Sequence, residues 1–248
     1  MAGHSKWSNI KRKKTINDAK KSKIFTKLVK ELTVAARTGG SEPEFNPRLR
    51  LAIQNAKGAN MPKDAILRAI SKASSHDVAT YHEVTYEGYG PHGVAIMVVC
   101  MTDKLIRTVA NVRAIFAKYG GSLEKNGAIT FLFDYKGVFT LPSVDIKDYD
   151  DFTLGLIDAG AEALENDGPF AHVICAVENF GNIQKHLETR SIAPTFAALE
   201  YIAHTFVQVN DATLLKLIKL IDGLKDDDDV QKVYHNIALQ PDQEALWA

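Results

Sequence analysis

Two cysteines in 248 residues, Cys100 and Cys175, are too few for a disulfide framework, and each lies inside an apolar run. They read as small buried hydrophobes of a reducing compartment. No stretch of about 18 apolar residues occurs, which excludes a membrane span. The basic start has no apolar segment behind it, so it is not a secretory signal; Asp18, Glu31 and the globular pattern that follows weigh against a transit peptide. No HExxH or GxSxG motif is present, and the eight histidines never pair with Cys or His at ligand spacing. No metal, cofactor or catalytic group is expected, and the chain reads as a cytoplasmic non-enzyme.

A net charge is also missing, and that zero hides a strong polarity. Residues 1–75 carry 17 Lys+Arg against 5 Asp+Glu, net +12; residues 76–248 carry 13 against 25, net −12. Such segregation predicts a basic module for a polyanion and an acidic body that stays off it.

The basic part divides in two. Residues 1–16, with Lys6, Lys11, Arg12, Lys13 and Lys14, have few apolar groups and read as a flexible arm. Trp7 and His4 are interleaved there, placed either to stack on exposed bases or, for Trp7, to anchor the arm on the bundle. From Asn17 the period is helical: Phe25, Leu28, Val29, Leu32, Ala35 and Ala36 form one buried stripe. Lys20, Lys23, Lys27 and Lys30 share another face. Gly39-Gly40 stops the helix. Asn46-Pro47 supplies N-cap and first turn of a second, with Leu49, Ile53 and Ala56 inside, and Pro62 opens a third with Ile66, Ala69, Ile70 and Ala73 inside.

Beyond a polar linker the period becomes two. Strands are predicted at 81–88, 94–102 and 128–134, with a helix at 104–119 facing inward through Ile106, Val109, Val112 and Phe116. A second alternation follows: strand 137–141, helix 149–160, strand 171–177, helix 179–190, strand 197–208. Helix 211–224 and strand 230–239 end the chain. The block 81–134 lacks a closing helix and strand, and 211–239 has one of each. The fold class is therefore α+β, with three domains: a basic helical domain (1–78), an α+β domain (79–135 plus 209–248), and a third (136–208) inserted into it.

Gly88-Tyr89-Gly90-Pro91-His92-Gly93 spells G-x-G-x-x-G, but a strand follows where a dinucleotide site needs a helix N-terminus. It reads as a tight hairpin turn. Asp158, Glu162, Glu165 and Asp167 are expected near a helix end as a solvated face, and 226–229, four consecutive aspartates, as a solvated turn after a helix C-terminus.

Met1-Ala-Gly-His-Ser-Lys-Trp7, Asn9-Ile-Lys11, Asp18-Ala-Lys20, Phe25-Thr-Lys-Leu28, Asn60-Met-Pro-Lys-Asp64, Tyr86-Glu-Gly-Tyr-Gly-Pro91, Thr102-Asp103 and Arg107-Thr108 together resemble the YebC/PmpR family, whose mitochondrial members are translational activators of cytochrome c oxidase subunit I. The resemblance spans the chain and is densest before residue 135. Lys104 and Ile106 stand where the family usually has Asn, Ala73-Ser-Ser replaces a Gly-rich stretch, and Leu123-Glu-Lys-Asn replaces a Leu-Gly start. The resemblance implies three domains, the last inserted, and a cytoplasmic regulator without catalytic activity. Two targets remain open. One is DNA, as a transcriptional regulator gripping phosphates through Lys6, Lys11, Arg12, Lys13, Lys14, Lys20, Lys23, Lys27 and Lys30, with Arg37, Arg48 and Arg50 as further contacts. The other is ribosomal RNA on the ribosome, with the hairpin tip at Tyr89, Gly90 and Pro91 reaching a functional centre.

Overall fold

The computed structural model describes residues 18–73 and 80–247, with side chains from residue 22 on. Three helices come first: α1 (Asp18–Gly39), α2 (Pro47–Gly58) and α3 (Lys63–Lys72). Their apolar stripes meet in one core of Leu32, Ala35, Ala36, Leu49, Ala52, Ala56, Met61, Ile66 and Ala69. Asn46, nearly fully buried, fixes the α1–α2 corner. Its Oδ1 accepts from the Leu49 amide at 3.0 Å, and its Nδ2 donates to the carbonyls of Ala35 and Gly40 at 2.7 and 2.8 Å. One side chain thus caps the second helix and ties it to two carbonyls near the end of the first.

The second domain is an antiparallel sheet in the order β3-β1-β2-β9, built from β1 (His82–Gly90), β2 (Val94–Thr102), β3 (Ser122–Leu123) and β9 (Val230–His235). Helices α4 (Leu105–Lys118) and α7 (Asp211–Asp226) cover one face. Alternate β2 residues Val94, Ile96, Val98 and Cys100 meet Val112 and Phe116 of α4 and Leu214, Leu217, Leu220, Ile221 and Leu224 of α7. The intervening Ala95 and Met97 pack on the opposite face with Ile129, Phe133 and Ala203. β2 is a continuous apolar run because both of its faces are buried. The closing strand comes from far along the chain: β9 pairs with β2, Ile96 opposite His235.

Between these pieces lies the third domain, a second antiparallel sheet ordered β5-β6-β4-β7: β4 (Phe133–Pro142), β5 (Ala161–Asp167), β6 (Phe170–Cys175) and β7 (Phe196–Ala203). Helices α5 (Tyr149–Asp158) and α6 (Phe180–Thr189) bury Phe152, Leu156, Ile183 and Leu187 against Phe139, Leu141, Val173 and Cys175. A short parallel pair, β8 (Val207–Gln208) with β10 (Ile237–Ala238), and α8 (Glu244–Trp247) complete the described chain. The architecture is α+β, a helical domain followed by two sheet domains, the last inserted.

Five local expectations change. Residues 130–132 form a 3-10 turn, and the two strands expected at 128–134 and 137–141 are one, β4. Gly137 continues through its middle because a Cβ there would lie 2.6 Å from Cys175 Sγ and 2.8 Å from the Phe180 ring. The strands expected over 197–208 and 230–239 are each two, β7 with β8 and β9 with β10. Residues 161–167 are a strand, so Glu162, Glu165 and Asp167 lie along β5 rather than at a helix end; Glu162 pairs with Lys136 at 2.8 Å. Ile106 is 86% exposed instead of inward-facing; Thr108, Val112 and Phe116 carry the buried stripe of α4.

Candidate nucleic-acid interface

The lysine face of α1 is not open. Lys23 Nζ lies 2.8 Å from Asp226 Oδ1 and 3.2 Å from the Asp226 carbonyl. Lys27 Nζ donates to the Lys225 carbonyl at 2.8 Å. Lys30 Nζ donates to the Asp228 carbonyl at 2.7 Å and to Asp229 Oδ1 at 3.0 Å. The chain ties this stripe to residues about 200 positions later, at the C-terminus of α7. A helix C-terminus presents unsatisfied carbonyls and a negative dipole end. Four aspartates add charge of the same sign, and the lysines neutralise it. The 226–229 segment is thus a turn docked on α1, with Asp229 buried and Asp226 and Asp228 still exposed to solvent. Burial holds the Lys27 ammonium below its ordinary pKa, Lys23 adds to that, and Asp228, Asp226 and Asp227 oppose it.

Asp229, 5% exposed, is the hub of this contact. Oδ2 accepts from Arg107 Nη2 at 2.7 Å, Thr108 Oγ1 at 2.9 Å and Thr102 Oγ1 at 3.1 Å, while Oδ1 takes Lys30. Burial alone would raise this carboxyl; the donors from Arg107, Lys30 and Thr108 more than reverse that and bring it to about 2. Lys30 also stands 5.5 Å from the centroid of the Tyr81 ring.

Arg48 is committed as well. Its guanidinium spans Glu31 of α1, at 2.9 Å through Nε and 3.3 Å through Nη2, and Glu83 of β1, at 2.6 Å. Those carboxylates overcome the burial that would lower its pKa and raise it instead. Lys23, Lys27, Lys30 and Arg48, expected as phosphate contacts, therefore hold the first domain to itself and to the second. Arg37 and Arg50 are exposed. Lys6, Trp7, Lys11, Arg12, Lys13 and Lys14 lie outside the described residues, as does the side chain of Lys20.

Three further cations emerge that helical spacing alone did not single out: Lys57, Lys63 and Arg68. With Arg50 they are exposed, and none holds an ion pair among the described residues. Arg50 and Lys57 are seven residues apart on the outward face of α2, opposite Leu49, Ala52 and Ala56. Only Asp64 offsets positive charge over α2 and α3. The readable signal was the scarcity of acids across 47–72, not a lysine stripe.

The hairpin is seated rather than projecting. β1 and β2 pair in register from His82 opposite Thr102 to Gly90 opposite Val94, and a 3-10 turn, Pro91–Gly93, joins them. Gly90 is buried where a Cβ would lie 2.7 Å from Leu217 Cδ2, and Tyr89 packs beside Ala95, Met97 and Ile129. Of the turn, His92 and Gly93 are the exposed residues, with Pro91 half-buried. Strand β2 follows the glycines directly, so no helix N-terminus faces them. Among the described residues no three His, Cys, Asp or Glu converge as a metal site, and no helix is long and apolar enough to cross a membrane.

The geometry defines a class: a three-domain α+β protein whose basic helical domain is clamped through charge on a discontinuous sheet domain. Family models extend the match over nearly the whole chain, with the TACO1/YebC protein N-terminal domain at residues 5–76 and the TACO1/YebC second and third domain at residues 81–237. The chain belongs to the TACO1/YebC family. A probable transcriptional regulatory protein of Amoebophilus asiaticus is 57% identical over 240 residues, covering 96% of this chain and 98% of its own. The probable transcriptional regulatory protein YrbC of Bacillus subtilis is 46% identical, covering 95% and 99%. The crystal structure of a conserved hypothetical protein from Aquifex aeolicus superposes with a TM-score of 0.80 at 37% identity, over 90% of this chain and 92% of that one.

Proposed function

We propose that the protein is a non-enzymatic, DNA-binding regulator of gene expression, acting in the cytoplasm through its basic first domain. The observation that carries this is the set Arg50, Lys57, Lys63 and Arg68: exposed, without ion pairs among the described residues, on two helices with a single acidic residue. Long cations with no internal partner keep their full charge for an external anion, and phosphates are the anion that a surface of this kind meets with counterion release. The names of the relatives, transcriptional regulators, support DNA as the target. The basic residues of 1–16 and Arg37 add positive charge to the same domain. Phosphate contacts carry no sequence information, so discrimination between sequences is modest.

The test is fluorescence anisotropy on a labelled duplex across a salt series. Replacing Arg50, Lys57, Lys63 and Arg68 by Gln lowers affinity for every sequence and flattens the log K against log salt slope by roughly 0.9 for each phosphate no longer neutralised. Unchanged affinity and slope would refute the assignment. Crosslinking and sequencing of bound nucleic acid in cells names the target: promoter DNA agrees with this reading, and dominant recovery of ribosomal RNA replaces it with a translational role.

A further inference from the structure

The contact between α1 and the 226–229 turn occupies the lysines that a nucleic-acid-binding helix would be expected to show. We propose that this acidic turn is an internal occupant of the α1 lysine stripe, standing where nucleic-acid phosphates bind, so that nucleic acid and the second domain compete for Lys23, Lys27 and Lys30. The proposal rests on the nucleic-acid reading above and adds its regulation.

The partner atoms resemble a short run of phosphates. Lys23, Lys27 and Lys30 span about 10 Å of helix. Among the described residues their hydrogen bonds go to oxygens: the carbonyls of Lys225, Asp226 and Asp228, the carboxylates of Asp226 and Asp229, and, at 3.4 Å, the Met101 carbonyl. A stretch of sugar-phosphate backbone offers acceptor oxygens at similar spacing, with a negative charge on each phosphate.

The contact is graded along its length. At the Lys23 end the pair is open to water, with side chains 43% and 73% exposed. Salt and competing anions weaken such a pair readily. At the Lys30 end the pair is 11% and 7% exposed and sits in the Asp229 hub. A polyanion therefore enters at Lys23 and works inward. The Asp228 carboxylate itself has no hydrogen bond or ion pair among the described residues; only its carbonyl is used, by Lys30. Its negative charge acts on Lys27 across the contact without a hydrogen bond of its own. The same charge repels an incoming polyanion, as an electrostatic competitor does.

The experiment compares the full chain with an Asp226→Asn, Asp228→Asn double variant, which spares Asp229 and the Asp227 contacts. Affinity for a labelled duplex is measured by anisotropy at low and moderate salt. The competitor model expects binding tighter by roughly three- to tenfold, the worth of two exposed charges. It also expects no comparable gain when Asp242→Asn and Glu244→Gln remove the same charge from the C-terminal turn. Equal gains in both double variants mean general repulsion and overturn the proposal. Wild-type binding with an unchanged or weakened Asp226→Asn, Asp228→Asn variant overturns it while leaving the nucleic-acid reading intact. Absence of binding by every form overturns both. An independent measurement needs no charge variant: labels at Ser71→Cys on α3 and Lys219→Cys on α7 report the distance between the first and second domains. Duplex DNA lengthens that distance if the turn is displaced, and an unchanged distance at saturating DNA refutes displacement.

Discussion

Asp229→Asn isolates the energy stored in the hub between the first two domains. The side chain is 5% exposed and accepts four donors, from Lys30, Arg107, Thr108 and Thr102. Its carboxyl falls from 3.8 to about 2 on folding. The folded value lies below the unfolded one, so the stabilisation is complete above about pH 4 and is lost as pH falls toward 2. The shift corresponds to about 2 kcal/mol at neutral pH and roughly half of that at pH 3. Asparagine keeps the shape and one acceptor but loses the charge, so it forfeits that amount. Trp247, buried in the core of the second domain, reports unfolding there by fluorescence, and Trp7→Phe removes the other indole. In urea at pH 7 the Asp229→Asn protein should unfold with stability lower by about 2 kcal/mol, and the gap should narrow to about half at pH 3. Equal stabilities at pH 7, or a gap that stays constant down to pH 3, would refute the assignment of this energy to an ionised Asp229.

Glu87→Gln should release the loop that β1 holds against β4, because the buried carboxylate accepts from the amides of Gly127, Ile129 and Thr130 and from Thr130 Oγ1. Burial opposes its ionisation, but those donors prevail and lower its pKa. Hydrogen exchange at residues 127–130 should speed up with a stability loss of about 1–3 kcal/mol, and unchanged exchange there argues against the anchoring role. Burial pushes the Cys100 thiol up to about 12 and Cys175 up to about 11. Neither should react with a thiol reagent in the native protein at pH 8, and both should react after denaturation; rapid native labelling of either contradicts its placement.

The helices were readable because their signals are local. Asn46 and Pro47 start α2 through a cap three residues away, and Ile66 and Ala69 share one face of α3 through a spacing of three. The hairpin was readable because Gly90 and Gly93 bracket a turn between two apolar-rich runs. Less was readable where a residue's environment comes from elsewhere in the chain. Ile106 looks like a stripe residue, but the packing of α7 centres on Thr108, Val112 and Phe116 and leaves it in solvent. Gly137 looks like an interruption, but the approach of Cys175 and Phe180 makes glycine the residue that lets β4 continue.

The same division runs through the candidate site. Sequence alone determined the polarity of the molecule, the helical character of its basic end and the α+β rhythm behind it, since composition, capping and periodicity depend on neighbours a few positions apart. Only the tertiary structure decided which cations remain available. Lys23, Lys27 and Lys30 are spent on a turn about 200 residues downstream, and Arg48 is spent on Glu31 and Glu83, while Arg50, Lys57, Lys63 and Arg68 remain open to water. The reason is electrostatic: a charge's partner is set by distance and burial after folding, and neither quantity is written in the spacing of residues along the chain.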